Sequence, residues 1–148
     1  MAVEVYYWNG KPGHVAIRVD GGSPPGTMYL SRWPATLSTA LLVSLEAQGN
    51  QYGEDVAAEG NRTPLAVRLT KLDETAVKNA IVRANRLMIY NDFAANCASH
   101  VKFCLDAGLP GVAKALGAVT SRGLLGFIAG DTPFGVYHYA CGLRTLYG

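Results

Sequence analysis

The sequence predicts an α+β fold in which short antiparallel strands precede amphipathic helices and a last strand. Near the N-terminus, segments rich in β-branched and aromatic residues are separated by turns that contain glycine and proline. Two later segments, beginning at residues 73 and 97, repeat apolar residues every three or four positions. The chain has 148 residues, 49% of them apolar and 16% charged, which is enough for one domain with a substantial core. We therefore expect residues 1–148 to form a single domain.

The first strands are expected to build an antiparallel sheet. Val3–Trp8 is rich in β-branched and aromatic residues and is followed by turn residues. In residues 14–20 the odd positions up to 19 are valine or isoleucine and should face the core, while His14 lies on the other face at the exposed end of its strand. Residues 27–33 should return as the second strand of this hairpin and stop at Pro34.

The remaining elements follow from apolar periodicity and from capping and turn residues. They are a helix over residues 35–49; a mostly irregular segment over 51–63, with room for a helical turn at 54–60; a strand over 65–69; a helix starting at Asp73; a helix starting at Cys97 and ending near Gly108; and a final strand over 134–141.

Composition argues against several classes of function. The formal net charge is only +2 and there is no run of basic residues, so we expect no nucleic-acid partner. The longest apolar stretches, such as 124–129, are too short to insert stably into a membrane. Residues 1–5 lack the features of a secretory signal, and three cysteines is an odd number, which favours synthesis in a reducing compartment. We expect synthesis in the cytoplasm.

A cysteine and a histidine are the main candidates for chemistry. Cys97 should occupy the first turn of its helix, where unsatisfied N–H groups and partial positive charge favour a thiolate. His14 follows Gly13 at the head of a strand, and an imidazole that reaches the sulfur can act as its base. These positions predict a Cys–His pair for thiol chemistry.

Two motifs carry a resemblance to a known family. Gly13–Ala16 followed by Asn96–Val101 resembles the circularly permuted branch of the NlpC/P60 and papain-like cysteine hydrolases, over residues 5–108. The lecithin-retinol acyltransferase relatives share this order, with the histidine before the Asn-Cys pair. Further segments resemble a set of bacterial proteins of this type: Tyr29–Pro34, Glu54–Asp55 and Glu59–Gly60. The resemblance implies a permuted papain-like fold, with an antiparallel sheet packed against helices and no cofactor.

The resemblance also implies a catalytic role for particular residues. Cys97 would be the thiol nucleophile and His14 its base, with a third polar residue on the neighbouring strand. Related enzymes usually carry His, Asn, Gln or Asp there, and none of these occurs between residues 21 and 34. Ser31 is the first choice for the third member, Tyr29 could also bond to the imidazole, and Asp20 lies at the hairpin bend.

The function that this resemblance implies is hydrolysis of an amide in a peptide through a Cys97 thioester, with a cell-wall peptide as the preferred substrate. Such a thiol peptidase would suit a bacterial effector or toxin, delivered to another cell or to the periplasm, with an immunity or delivery protein as partner. Two alternatives stay open. One is a thiol acyltransferase with an apolar entrance from residues 123–128; the other is a non-catalytic binding domain in which Cys97 is inert.

Other side chains offer rival interpretations. His138, in the expected last strand, is the main rival base. His100 lies one helical turn after Cys97 and is expected to pack against the sheet or to cap a carbonyl. Cys97, His100 and Cys104 are spaced so that one helix face could present all three to a metal. Structural zinc sites normally need a second ligand pair, which the chain lacks, so we expect no metal.

Overall fold

The computed structural model describes residues 2–10, 13–20, 28–34, 45–49, 51–86, 89–90, 97–111 and 132–148. These ranges contain seven strands and four helices. The strands are β1 (Val3–Trp8), β2 (His14–Val19), β3 (Met28–Leu30), β4 (Arg32–Pro34), β5 (Leu45–Gly49), β6 (Leu65–Leu69) and β7 (Ile89–Tyr90). The helices are α1 (Tyr52–Ala58), α2 (Glu74–Asn85), α3 (Cys97–Ala107) and α4 (Pro133–Tyr147).

A four-stranded antiparallel sheet in the order β3-β2-β1-β6 organises the fold. β1 and β2 form its central hairpin, in which Trp8 pairs with His14 and Val3 pairs with Val19. β6 adds to the outer side of β1, and β3 adds to the outer side of β2 through the Ile17–Leu30 pair. A smaller antiparallel sheet has the order β4-β5-β7. The predicted α+β class, with an antiparallel sheet and helices, is confirmed.

The main core lies between one face of the sheet and helices α2, α3 and α4. Alternate β2 residues, Val15, Ile17 and Val19, are fully buried there, as their period of two predicts. Cys97 and Val101 of α3 belong to the same cluster. Because α3 packs on the helix-covered face of the sheet, its first residue lies on that side of the molecule.

A second, smaller core lies on the opposite face of the sheet. It consists of Tyr6, Trp8 and Ala16, with Tyr29 and Val56 packed against them. Val56 belongs to α1, so this short helix covers the face that α3 does not. The sheet is therefore flanked at this end by α3 on one side and by α1 on the other.

Several predicted elements are confirmed with nearly the expected bounds: β1, β2, β6, α2 and α3. Asp73 caps α2, and its side chain accepts a hydrogen bond from the Ala76 N–H, as the start at that residue predicted. The expected strand over 27–33 is interrupted at Ser31, so that β3 and β4 belong to different sheets.

The predicted strand over 134–141 is wrong, because these residues lie in the helix α4. Thr132 caps this helix and Pro133 stands at its first position, where its missing N–H costs nothing. Val136, Ala140 and Leu143 are buried at helical spacing. The local alternation around His138 satisfied a period of two over a few residues, but the longer period of 3.6 determines the structure.

Two other expectations need correction. Residues 45–49 form the strand β5 instead of the end of a helix, and residues 35–44 lie outside the described part of the chain. α1 is longer than the single turn expected in a mostly irregular segment. A capping box between Gln51 and Glu54 stabilises its start, which explains how this polar segment holds seven helical residues.

No helix within the described ranges has the length and apolar character needed to cross a bilayer.

Gly13 has the backbone conformation on which the position of His14 depends. Its φ is +83°, and a Cβ there would lie 3.0 Å from the carbonyl oxygen of Trp8. We expect Gly13→Ala to lower the free energy of unfolding by about 1–3 kcal/mol, measured by urea denaturation. Gly142→Ala is the control, because a Cβ at that helical position meets nothing within 4 Å. Equal stability of the two variants would contradict this role of Gly13.

Candidate functional site

The candidate site forms where the first residue of β2 meets the first residue of α3. His14 and Cys97 are only 1% and 4% exposed, and the Cys97 side chain is hydrogen bonded to His14. The Trp8 ring lies beside the imidazole, with the ring centroids 5.6 Å apart. His14 was expected at an exposed strand end; instead, α1 and Trp8 bury it, because α1 covers this face of the sheet.

Ser31 is placed against the histidine. Its Oγ lies 2.8 Å from His14 Nε2, so the structure brings together all three side chains that the sequence selects, Cys97, His14 and Ser31. Since Nε2 faces Ser31, Nδ1 is the ring nitrogen that remains for the Cys97 sulfur. Ser31 stands at the break between β3 and β4, where it points to the same sheet face as Tyr29.

Asp55 is the member of the site that the sequence argument missed. It lies on α1 with no exposed surface, and its Oδ2 is 3.4 Å from His14 Nε2. Ser31 and Tyr29 also donate hydrogen bonds to this carboxylate. The third member was sought on the neighbouring strand and at the hairpin bend, whereas this carboxylate belongs to a helix. The available signal was the Glu54–Asp55 pair, with Tyr52 and Val56 as apolar anchors one turn apart.

The carboxylate is ionised despite its burial. Burial by itself raises the pKa of Asp55, but hydrogen bonds from His14, Ser31 and Tyr29 stabilise the charged form and hold the pKa below its usual range. A buried carboxylate at neutral pH thus faces the imidazole.

The imidazole is held in its charged form. Burial by itself lowers the pKa of His14, but Asp55 and the sulfur of Cys97 outweigh it and raise the pKa to about 9. Both ring nitrogens then carry a proton at neutral pH. Nε2 donates to Ser31 Oγ, whose hydroxyl donates to Asp55, so the serine bridges the two charged groups.

The sulfur of Cys97 lies between two sources of positive potential. One is the protonated His14, and the other is the N-terminus of the eleven-residue helix α3. Both sources stabilise the negative charge that a cysteine sulfur carries when it acts as a nucleophile. The arrangement is suited to attack on a carbonyl carbon, with the N–H groups at the start of α3 close to the oxygen that becomes negative.

The other candidates occupy different environments. His138 lies on α4 instead of a strand; it is exposed, and its ring packs against Phe134 with 4.2 Å between centroids. It is therefore not the strand-borne base that the sequence offered as a rival. His100 is buried on α3. Asp20 binds Arg18, with Oδ1 3.1 Å from Nε, instead of the imidazole.

The cysteines of α3 differ sharply in setting. Cys104 is fully buried among apolar side chains, and this burial raises its pKa to about 12 in spite of Arg83 nearby. Among the described residues, no group of three or more His, Cys, Asp or Glu side chains is arranged to hold a metal ion.

Comparisons with protein-family models, with curated proteins and with solved structures gave no match to this chain.

Cys97 is expected to react faster than Cys104 with iodoacetamide at a pH near 6, because only Cys97 faces an imidazolium at a helix N-terminus. Mass spectrometry of peptides from the folded protein would measure the two rates. His14→Gln should slow the labelling of Cys97 and leave that of Cys104 unchanged. Equal, slow labelling of both thiols would remove Cys97 as an activated nucleophile.

The Asp55 carboxylate is expected to set the titration of His14. Asp55→Asn should move the pKa of His14 from about 9 towards or below its ordinary value of 6.5, because burial then acts without the opposing charge. NMR titration of the labelled imidazole measures this change. Asp106→Asn is a matched control, since that carboxylate also accepts a tyrosine hydrogen bond but lies elsewhere, on α3. A His14 titration unaffected by Asp55→Asn would contradict the assignment.

Proposed function

We propose that this chain is a thiol-dependent hydrolase of amide bonds, in which Cys97 is the nucleophile and His14 the acid–base group. The observation that supports this best is that three buried side chains are in contact in series: the Cys97 sulfur with His14, and His14 with Asp55. A nucleophile, a base and a group that orients the base are the three parts that covalent acyl transfer requires.

The reaction would begin from the thiolate–imidazolium pair. The Cys97 sulfur attacks the amide carbonyl carbon, and the carbonyl oxygen takes up the negative charge, to which the Cys97 backbone N–H donates a hydrogen bond. His14 gives its proton to the amine nitrogen as the carbon–nitrogen bond breaks, which leaves a thioester on Cys97. A water molecule then attacks the thioester while His14 takes its proton, and the acid leaves as the sulfur returns to thiolate.

Asp55 and Ser31 have distinct parts in this scheme. Ser31 accepts from Nε2 and keeps the ring oriented so that Nδ1 faces the sulfur. Asp55 supplies the negative charge that stabilises the imidazolium. Asp55 therefore takes the role of third member that the sequence argument gave to Ser31, and Ser31 becomes a positioning residue.

We assign the arrangement to the permuted papain-like, NlpC/P60-type fold. Support comes from the order of the elements: the antiparallel hairpin with His14 precedes the helix that starts at Cys97, and that helix packs on the same sheet. The proposed substrate is a peptide, with a cell-wall peptide first. Action as an effector or toxin on another cell or in the periplasm, with an immunity or delivery protein as partner, belongs to the same proposal.

The burial of the pair favours acyl transfer as a second candidate function. Cys97 is 4% exposed and His14 1% exposed, so bulk water has little access to a thioester formed there. A bound amine or alcohol could then take the acyl group in place of water, with His14 removing its proton.

The decisive experiment incubates the protein with purified peptidoglycan and with acyl-lipid donors, and follows products by mass spectrometry. Cys97→Ala should abolish turnover, and His14→Gln should reduce kcat at least about 100-fold. Cys141→Ala, at a partly exposed position on α4, should keep full activity. Release of amines from peptidoglycan supports the hydrolase; transfer from the lipid supports the acyltransferase. Turnover that survives Cys97→Ala would end both proposals.

The pH dependence tests the mechanism further. The rate should fall as pH rises through about 9, because His14 then loses the proton that the leaving amine needs. Asp55→Asn should move this alkaline limit to lower pH. An alkaline limit that stays in place in that variant would exclude His14 as the acid.

A further inference from the structure

One oxygen of Asp55 is shared by two donors. The Tyr29 hydroxyl donates directly to Oδ2, and the same oxygen lies 3.4 Å from His14 Nε2. The His14 hydrogen bond to the carboxylate is therefore a long one, and Nε2 also donates to Ser31 Oγ at 2.8 Å. The imidazolium and the carboxylate thus face each other without closing to the distance that two paired charges normally adopt.

Tyr29 is held in place by other aromatic rings. Its ring centroid is 6.5 Å from that of Tyr6 on β1 and 6.2 Å from that of Tyr52 on α1. Burial and the adjoining carboxylate raise the pKa of Tyr29, so its hydroxyl keeps its proton and remains a donor throughout the range in which His14 titrates. The Tyr29 hydroxyl is therefore fixed in position and stays protonated while His14 titrates.

We propose that Tyr29 is a positioning residue of the thiol site: its hydroxyl competes with the His14 imidazole for Oδ2 of Asp55 and keeps the imidazole–carboxylate contact loose. The catalytic role of Tyr29 rests on the proposed function. The competition for Oδ2 rests on the contacts alone. A carboxylate that spends part of its hydrogen-bonding capacity on a tyrosine attracts the imidazolium less strongly. His14 then keeps the ability to give its proton to a leaving group, which a fully closed ion pair would suppress.

Several elements contribute titratable groups that affect the proton affinities of His14 and Asp55. Among the described residues, the titratable side chains that face Asp55, His14 or Tyr29 include Tyr6 from β1, His14 from β2, Tyr29 from β3, Tyr52 and Asp55 from α1, and Cys97 from α3. The Tyr29 hydroxyl donates to Oδ2, the same oxygen that His14 Nε2 approaches, which makes this hydroxyl the group to change.

The test is an NMR titration of the His14 imidazole in Tyr29→Phe. Loss of the hydroxyl should let the ion pair close and move the His14 titration to higher pH by about half a pH unit or more, opposite in direction to Asp55→Asn. Tyr139→Phe is the matched control. The Tyr139 hydroxyl donates to Asp106 Oδ1 at a distance of 2.6 Å, and this pair lies outside the site, so the variant should leave the His14 titration unchanged. An unchanged or lower titration in Tyr29→Phe would overturn the proposal.

A second variant covers the case in which Tyr29→Phe does not fold. Replacing Tyr29 with 3-fluorotyrosine keeps the ring and the hydroxyl but makes the hydroxyl a stronger donor, so the His14 titration should move to lower pH. A shift to higher pH would contradict the competition. The titration needs no substrate, so it stands even if Cys97→Ala shows that the proposed hydrolase reaction is absent. Where a substrate is found, Tyr29→Phe should lower kcat and leave KM unchanged.

Discussion

The buried carboxylate of Asp55 is the constraint on which the rest of this site depends. An ionised side chain without exposed surface costs several kcal/mol unless charge and hydrogen bonds compensate it, and here His14, Ser31 and Tyr29 provide both. These partners come from β2, from β3 and from the residue that follows β3. One carboxylate therefore ties three neighbouring segments of the chain together, and its loss would leave the buried imidazole without the charge that keeps it protonated.

Aromatic packing against α1 and two hydrogen bonds beyond its C-terminal end hold the carboxylate in place. Val56 packs against the cluster of Tyr6 and Trp8 on the sheet. Beyond the helix, the indole N–H of Trp8 donates to the carbonyl of Arg62 at 2.9 Å, and the Arg62 guanidinium donates to the carbonyl of Asn9 at 2.8 Å. A helix of seven residues is too short to be stable by itself, so these contacts with β1 and its turn determine where it lies.

Local patterns were sufficient for part of this architecture and insufficient for the rest. The period of two in β2 and the apolar spacing of α3 place His14 and Cys97 correctly on their elements, because both signals come from residues close in sequence. The strand expected around His138 failed because a few alternating residues also fit one face of a helix. Asp55 was not selected, since its role depends on α1 folding back over a sheet face. The spacing of Tyr52 and Val56 indicates a helix with one apolar face, but it does not encode that long-range contact.

The two sides of the site are stabilised by different hydrophobic cores, so the proton affinity of His14 and the position of Cys97 depend on different residues. Cys97 belongs to the main core with α2, α3 and α4, whereas the environment of Asp55 belongs to the small aromatic core under α1. His14, at the sheet end between them, contacts both groups. Changes in the aromatic core can therefore alter the proton affinity of the base without moving the nucleophile, because the packing of α3 does not pass through α1.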